Sequence, residues 1–333
     1  MRFSNYCPVC NSQNYETLIN YKFRNPGNDF KNYLDDSINS RLWILFNKIL
    51  SNNNSANFNI TLCNSCGFIF LNPRFSEGEF KIKYSFLTEM KSVENILQKN
   101  PMFNLDIRAQ RIYKLINKFY SQNSNFKPRV LDYGGAGGYI LVPFKNKYKC
   151  YVVDYNKWKL PNGIEYLGKD LDHLEKEDSF DIIFLLHTLE HIINPKEFLD
   201  YLCKYLKNDG LIYVEVPLGC VREWRVLMEP LTHINFFSEE SLFKLFTLCN
   251  LNVIHIDTSY QWVAHGKNWN INIIGTKRKE GNFINLNSIP ATKAQMVNFY
   301  YNFQDLVNIR NYPANIKKII KYLRDKLNNF NLN

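Results

Sequence analysis

The fold is decided by the stretch Val130-Leu131-Asp132-Tyr133-Gly134-Gly135-Ala136-Gly137-Gly138-Tyr139. It joins a short apolar strand to a turn dense in glycine and to the start of a helix. Glycine permits positive φ angles and lets a ligand come close to the backbone, which a side chain would block. Asp154 follows Asp132 by 22 residues, at the end of the next apolar strand, where a carboxylate can accept both hydroxyls of a ribose. This register predicts a site for a nucleoside-containing cofactor.

From residue 128 onward, short apolar runs alternate with helical stretches. The runs after the glycine turn cover residues 151–153, 181–186 and 211–216. Such alternation indicates βαβ units and a mostly parallel sheet, so the fold class is α/β. We predict a helix over 195–206 that ends in a left-handed cap at Gly210, and a later helix capped by Ser238. A final strand pair is expected at 252–256 and 268–274.

Composition excludes several classes of protein. The 333 residues are 45% hydrophobic, 15% aromatic and 22% charged, which rules out a disordered tail, a collagen-like fibre and a disulfide-dense miniprotein. The length predicts about two domains. The formal charge of +10 makes nucleic acid, an anionic membrane surface or a phosphorylated small molecule the first partners to consider.

The positive charge is unevenly distributed along the chain. Residues 1–127 and 276–333 each carry a net charge of +7, whereas residues 128–275 carry −4. A continuous nucleic-acid track is therefore not favoured, although a flank can still provide one. The last segment, 276–333, is predicted to be a basic helical extension. Its amphipathic helix at 316–327 is expected to dock on the core, on a second subunit or on an anionic surface.

The sequence predicts a cytoplasmic protein. Its first residues lack an apolar region after a basic one, and no window reaches the roughly 18 apolar residues of a membrane span. In a reducing compartment, cysteines are expected as thiols or metal ligands.

Four of the eight cysteines form two Cys-x-x-Cys pairs, Cys7 with Cys10 and Cys63 with Cys66. This spacing lets backbone amides support two thiolates on one tetrahedral zinc ion. An insertion over 38–59, with a helix predicted at 38–50, accounts for the long separation of the pairs. We therefore predict a structural Zn²⁺ in a small zinc-ribbon module over 1–84, followed by a helical linker over 85–127.

The stretch His187-Thr188-Leu189-Glu190-His191 follows the run at 181–186 directly. Together with the glycine turn, Asp154 and the segment 169–171, it resembles the bacterial class I S-adenosylmethionine-dependent methyltransferases of the type-23 domain group. The similar stretches cover residues 128–275. Paired cysteines before a stretch like Cys66-Gly67-Phe68-Ile69-Phe70-Leu71-Asn72-Pro73-Arg74 extend the resemblance to 1–84. Ala136 departs from the family pattern, which usually has glycine there.

The resemblance implies a Rossmann-like domain over 128–275, with a mostly parallel seven-stranded sheet and helices on both faces. It also implies S-adenosylmethionine as the cofactor. The implied cofactor-binding residues are Asp132, Gly134, Gly135, Gly138, Asp154, Asp170, Leu171 and His187. Among these, Asp154 would hold the ribose, Asp170 and Leu171 would flank the adenine, and His187 would close the sulfonium side.

Two histidines are the first candidates for a catalytic base. His191 and His233 can each accept a hydroxyl proton near pH 7 as neutral imidazole. The segment 230–238 is similar to one in sugar C-methyltransferases, but of its Tyr-His-Glu-His pattern only the last histidine is present. Transfer to oxygen is therefore favoured, with transfer to nitrogen or carbon as alternatives. Arg222 and Arg225 are expected to bind an anionic acceptor such as a nucleotide diphosphate.

The expected function is O-methylation of a sugar, a nucleotide-sugar or a polysaccharide-related acceptor, as in relatives of surface-polysaccharide pathways. An RNA-modifying or RNA-binding protein that uses its basic flanks is the second hypothesis. A metallohydrolase is the third, because His187 and His191 match the inverted zincin pattern of two imidazoles one helical turn apart. That pattern needs one helix to carry both histidines, whereas here the motif directly follows a buried strand.

Overall fold

The computed structural model describes residues 1–25, 37–51, 53–89, 102–120, 126–219, 229–263, 266–289 and 291–292. Arg222, Arg225 and the predicted helix at 316–327 lie outside these residues. Within the described ranges, no helix combines the length and the apolar character needed to cross a membrane.

The described residues form eleven strands and five α-helices. In chain order the strands are β1 (Tyr15–Arg24), β2 (Ser55–Cys63), β3 (Ile69–Asn72), β4 (Arg129–Tyr133), β5 (Lys149–Val153), β6 (Ile164–Gly168), β7 (Phe180–Leu186), β8 (Leu206–Pro217), β9 (Asn235–Phe236), β10 (Asn252–Val263) and β11 (Gly266–Thr276). The helices are α1 (Ser37–Ile44), which continues as a π-helical turn over Leu45–Ile49, α2 (Glu77–Glu89), α3 (Met102–Phe119), α4 (Pro195–Leu202) and α5 (Glu239–Leu248).

Seven strands form one sheet, in the order β10-β11-β8-β7-β4-β5-β6. Strands β4 to β8 run parallel to their neighbours among themselves, whereas β11 is antiparallel to both β8 and β10. The predicted seven-stranded, mostly parallel sheet is confirmed. β5 and β7 lie on opposite sides of β4, so the order of the strands reverses there. In α/β sheets the crevice at the carboxyl ends of such strands binds ligands.

Helices cover both faces of this sheet. Because strand side chains alternate between faces, Val130 and Leu131 of β4 belong to two different apolar layers. Val130 packs in one layer with Ile112 of α3, and Leu131 packs in the other with Leu199 of α4. Burial on both faces explains why the central strands are continuous apolar runs rather than alternating ones.

Two local predictions around the sheet were wrong. Only a single 3₁₀ turn, Tyr139–Leu141, follows the glycine turn where the sequence predicted a helix. Pro143 lies four residues into that stretch, and its ring and missing N–H oppose helical continuation. The helix that begins at Pro195 ends at Leu202, and Gly210 lies in β8 instead of forming a left-handed cap. The pairing of Leu206 with Phe180 of β7 extends β8 backwards and takes these residues into the sheet.

The N-terminal part forms a second, antiparallel sheet in the order β1-β2-β3-β9. The insertion over 38–59 contributes most of α1 and the first half of β2, whereas β1 precedes it. α1 confirms the helix predicted there. β9 comes from the segment just after His233 and pairs with β3. The rings of Phe68 and Phe237 lie 5.1 Å apart across this junction. The N-terminal sheet therefore shares its core with the larger sheet.

Candidate active site

The glycine turn lies at the carboxyl end of β4. Its first residue, Gly134, has a φ of 76° and donates its N–H to the Val153 carbonyl at 2.8 Å. A Cβ on Gly134 would lie 2.7 Å from Thr188 Oγ1, and one on Gly135 would lie 2.7 Å from the carboxyl carbon of Asp132. Side chains are thus excluded on steric grounds at both positions, and the backbone stays accessible to a ligand.

Asp132 is buried beneath this turn, with only 1% of its surface exposed. Neither carboxylate oxygen has a hydrogen-bond partner among the described residues. Burial raises the pKa of Asp132 to about 7, and the nearby guanidinium of Arg108 opposes that rise. A buried carboxylate without a partner is costly, and a ligand ammonium group would satisfy it. The amino group of the methionine part of S-adenosylmethionine has this character, so the site fits that cofactor.

Asp154, at the end of β5, holds the turn from the other side. Its Oδ2 accepts the N–H of Ala136 at 2.9 Å, and its Oδ1 accepts from the Asn156 N–H at 3.0 Å and from Trp158 Nε1 at 3.1 Å. Burial raises the pKa of Asp154, while these three donors oppose the rise. A carboxylate offers about four acceptor positions. Asp154 therefore keeps capacity for a ribose hydroxyl.

Asp170 and Leu171, which follow β6, differ in exposure. The Asp170 side chain is about half exposed and lies 2.8 Å from His173 Nδ1. It also accepts the N–H of Asp172 at 3.2 Å. Leu171, by contrast, is buried in the apolar core.

His187 lies between two carboxylates at the end of β7. Its Nδ1 is 3.4 Å from Glu190 Oε1, and its Nε2 is 3.3 Å from Glu215 Oε1. Its φ is 58°, a left-handed conformation uncommon for a residue with a side chain. Burial alone lowers the pKa of His187, but the two glutamates outweigh it and leave the pKa raised. The two carboxylates therefore stabilise the protonated imidazole relative to the neutral one.

Glu215 of β8 is fully buried and anchors His187. It pairs with Arg108 Nε at 2.9 Å and with Arg111, and it accepts from Gln261 Nε2 at 3.0 Å. Although burial opposes ionisation, Arg108 and His187 lower the pKa of Glu215 well below its usual range. The network connects α3 to the sheet edge where the ligand is expected.

His191 and His233 form a pair at the same edge. Their ring centroids lie 4.7 Å apart. His191 Nδ1 lies 2.5 Å from the Thr232 carbonyl, so Nδ1 carries the hydrogen and Nε2 keeps its lone pair. Burial lowers the pKa of His191 to about 3, with His233 and Lys83 adding to the effect and Glu190 opposing it. His191 is therefore a neutral imidazole at physiological pH.

The geometry of an inverted zincin is not formed. Leu189–His191 is a short 3₁₀ turn that follows β7, so no α-helix carries both His187 and His191. The structure instead places His233 beside Glu190 and His191.

Hydrogen bonds fix the two segments that carry the histidine pair. The N–H of Ile234 donates to the Glu190 carbonyl at 3.0 Å, and Asn235 Nδ2 donates to the carbonyls of Leu189 at 2.8 Å and Ile192 at 2.6 Å. Arg74, which follows β3, adds a further connection. It donates to the Ile234 carbonyl at 3.1 Å, to Asn235 Oδ1 at 2.9 Å and to the Ile193 carbonyl.

Helix α2 supplies a cation and an aromatic ring near this edge. Lys83 is 3% exposed, and its ammonium lies 4.6 Å from the ring centre of Phe80 and 4.8 Å from that of Tyr84. Burial lowers the pKa of Lys83 to about 7. The ring centroids of Tyr84 and Tyr155 lie 4.9 Å apart. Tyr155 directly follows Asp154 in the sequence.

The four cysteines of the two pairs come together at the start of the chain. Their sulfur atoms all lie within 4.8 Å of one another, with 3.6 Å between Cys7 and Cys66 and 3.5 Å between Cys10 and Cys63. Four thiolates about 2.3 Å from a tetrahedral zinc ion would be separated by about 3.8 Å. The cluster therefore has the size of a closed four-cysteine metal site.

Four residues of the site were not among those predicted from the sequence. Glu190 and Arg74 stand inside stretches that carried the family resemblance, so their identity was visible but their contacts were not. Arg108 and Glu215 are 107 residues apart, and no local pattern connects them.

Comparison with known proteins agrees with this arrangement. A family described as a methyltransferase domain, the type-23 group, matches residues 105–256. A ubiquinone biosynthesis O-methyltransferase from Rickettsia prowazekii is 28% identical over 138 residues, which cover 37% of this chain and 55% of that protein. The mitochondrial ubiquinone biosynthesis O-methyltransferase of Dictyostelium discoideum is 36% identical over 53 residues, or 16% of each chain. The chain thus spans about half the length, or less, of the curated relatives it matches.

Among solved structures, a 1,6-didemethyltoxoflavin-N1-methyltransferase from Burkholderia thailandensis aligns with a TM-score of 0.47 and 11% identity. The alignment covers 62% of this chain and 93% of that one. The family match spans the central parallel strands, the glycine turn and the segment that carries His187, Glu190 and His191. The chain therefore carries a class I S-adenosylmethionine-dependent methyltransferase domain.

Proposed function

We propose that the protein transfers the methyl group of S-adenosylmethionine to an oxygen atom of a small acceptor, and that His191 or His233 accepts the proton of that oxygen. The observation that carries the proposal is the placement of two neighbouring imidazoles at the sheet edge that also holds the glycine turn and Asp154. The names of the curated relatives, which describe O-methylation, support oxygen as the accepting atom.

In this proposal the glycine turn and its acidic partners hold the cofactor. Asp132 pairs with the ammonium group of the methionine part, and Asp154 accepts from the ribose. Gly134, Gly135 and Gly138 leave the backbone open to the ligand. Asp170 and Leu171 lie beside the adenine, and His187 closes the sulfonium side.

S-adenosylmethionine supplies a methyl group that its sulfonium sulfur has already activated. What the protein adds is alignment of the acceptor oxygen, the methyl carbon and the sulfur in one line. The C–S bond breaks as the C–O bond forms, and the hydroxyl proton passes to an imidazole nitrogen. His191 Nε2 keeps a lone pair for it, because Nδ1 is held by the Thr232 carbonyl. Burial lowers the pKa of His191 to about 3, so this nitrogen is a weak base in the ligand-free protein and His233 is the alternative acceptor. The carboxylate of Glu190, 3.9 Å from that nitrogen, stabilises the resulting positive charge.

The acceptor we propose first is a hydroxyl of a sugar or nucleotide-sugar, by resemblance to relatives in polysaccharide pathways. Tyr84 and Tyr155 offer aromatic faces that suit a sugar ring. Arg222 and Arg225, which follow β8 in the sequence, would hold a diphosphate. A hydroxyl compound of ubiquinone biosynthesis, for which simple phenols serve as probes, is the second candidate, since the curated relatives are named for O-methylation in that process.

The cysteine cluster is proposed to hold one structural Zn²⁺ through Cys7, Cys10, Cys63 and Cys66. All four positions of a tetrahedral ion are then filled by thiolates, so the ion takes no part in methyl transfer. Its role is to fix the N-terminal sheet, from which Arg74 reaches the histidine segments.

A turnover assay with S-adenosylmethionine and a panel of sugar nucleotides and phenols tests the proposal. The expected result is formation of S-adenosylhomocysteine with at least one hydroxyl compound, and its loss in the double variant His191→Ala, His233→Ala. Methylation that proceeds at full rate in this double variant would remove imidazole from the mechanism.

A further inference from the structure

Glu190, His191 and His233 form a second group of metal-binding side chains, separate from the cysteine cluster. One ligand atom of each lies within 4.8 Å of the others. Two imidazoles and one carboxylate are the donor set that suits divalent transition metals. The three residues come from two segments. The N–H of Ile234 and the side-chain amide of Asn235 hold these segments together by donating to backbone carbonyls, so the metal-binding groups are already arranged.

Glu190 gives the group its strongest feature. The residue is only 2% exposed, yet neither carboxylate oxygen has a hydrogen bond among the described residues. Its Oε1 lies 3.4 Å from His187 Nδ1 and 3.9 Å from His191 Nε2. Leaving a buried carboxylate without hydrogen bonds is costly. His187 offsets part of this cost, and a bound cation would offset more of it.

His191 has the orientation of a metal ligand. Histidines that bind metals usually donate their other ring N–H to a carbonyl or a carboxylate, which fixes the tautomer. The 2.5 Å contact between His191 Nδ1 and the Thr232 carbonyl meets this condition and leaves Nε2 for the ion.

We infer that Glu190, His191 and His233 bind one divalent transition-metal cation, such as Zn²⁺ or Co²⁺, and that this cation blocks methyl transfer. Coordination occupies the imidazole lone pairs to which the proposed function assigns the acceptor proton. The inhibitory effect rests on that proposed function, whereas binding of the ion does not.

The binding test starts from protein whose cysteine cluster is already loaded with zinc. Calorimetric titration with Co²⁺ is expected to show one further site per chain. Glu190→Gln and His233→Ala should each weaken it at least about tenfold, whereas His255→Ala, on β10, should leave it unchanged. The absorption of the bound Co²⁺ should lack thiolate charge-transfer bands, which shows that the ion has not entered the cysteine cluster. Thermal unfolding and S-adenosylhomocysteine binding of each variant verify that it is folded.

A titration with no further site, or an equal affinity in Glu190→Gln, would overturn the inference. A second measurement separates it from the proposed function. Turnover is expected to fall as the Co²⁺ site fills and to return when a mild chelator removes the ion. If turnover instead rises as the site fills, the cation does not inhibit and an imidazole is not the base. Only the inferred metal-binding site would then remain. If the protein binds no further ion and its turnover is normal, the inferred metal site is wrong, whereas the proposed histidine base is unaffected.

Discussion

The rings of His191 and His233 lie 4.7 Å apart although 42 residues separate them in the sequence. His191 lies in the short 3₁₀ turn that follows β7, whereas His233 precedes β9, which pairs with β3 of the N-terminal sheet. The pair therefore forms where the two sheets meet. Arg74 is central to that junction, since it contacts both histidine segments from the N-terminal side.

Replacement of Arg74 tests this junction. Arg74→Ala removes the guanidinium from three oxygen acceptors, of which the Ile234 carbonyl keeps the Leu71 N–H at 3.0 Å. We expect the free energy of unfolding to fall by about 3 kcal/mol. Turnover should fall more than S-adenosylhomocysteine affinity, because the hydrogen bonds of the Arg74 side chain go to the histidine segments. Chemical unfolding and calorimetry measure the two effects. Arg74→Lys, which keeps the charge but loses the forked geometry, should recover little. Full turnover in Arg74→Ala would show that the pair is held without this contact.

Asp132 gives a prediction for pH. Burial raises its pKa from 3.8 to about 7, so the folded protein binds this proton more tightly than the unfolded chain does. The free energy of unfolding of the ligand-free protein should therefore fall as pH rises between these values, and Asp132→Asn should flatten that slope. Affinity for S-adenosylhomocysteine should rise over the upper part of the same window, because the ligand ammonium needs the ionised carboxylate. Calorimetry at several pH values checks the affinity, and an equal pH dependence in Asp132→Asn would contradict the assignment.

The two histidines should separate binding from catalysis. His191→Ala and His233→Ala should both bind S-adenosylhomocysteine with wild-type affinity, because neither imidazole is among the proposed cofactor residues. We expect at least one of them to lose about 100-fold or more in kcat, the usual contribution of a general base. Steady-state kinetics and calorimetry on each variant provide the measurement. An equal loss in cofactor affinity would place the pair in the cofactor site instead.

The cysteine cluster predicts one tightly held zinc ion per chain. Cys63→Ser should release it and lower the melting temperature, because β2 ends at this residue and β3 follows closely. Metal analysis and thermal unfolding test this expectation. Cys150→Ala, a buried cysteine of β5 outside the cluster, is the matched control and should keep the zinc. Zinc content unchanged in Cys63→Ser would exclude the four-cysteine site.

The sheet and the glycine turn were predictable because they depend on local patterns. Apolar runs at 151–153, 181–186 and 211–216 became β5, β7 and β8, since strands buried on both faces need continuous apolar sequence. Ser238 caps α5 as predicted, because a capping hydroxyl acts within four residues.

The contacts within the site could not be predicted in this way. The pairing of Arg108 with Glu215, and of Arg74 with the histidine segments, depends on which distant elements pack together. The left-handed cap predicted at Gly210 failed for the same reason, since pairing with β7 decided the conformation of that segment. Local sequence patterns predict helices and strands, whereas the partner of a buried charged side chain depends on how these elements pack together.

Binding of S-adenosylhomocysteine to Gly135→Ala tests the central claim most directly. A Cβ at this position would lie 2.7 Å from the carboxyl carbon of the buried Asp132, whereas a Cβ on the control Gly78 would meet nothing within 4 Å. Calorimetric titration should show one site per chain in the wild type and in Gly78→Ala, and an affinity at least about tenfold weaker in Gly135→Ala. No heat with the wild type, or an unchanged affinity in Gly135→Ala, would contradict the assignment of the glycine turn as the cofactor site.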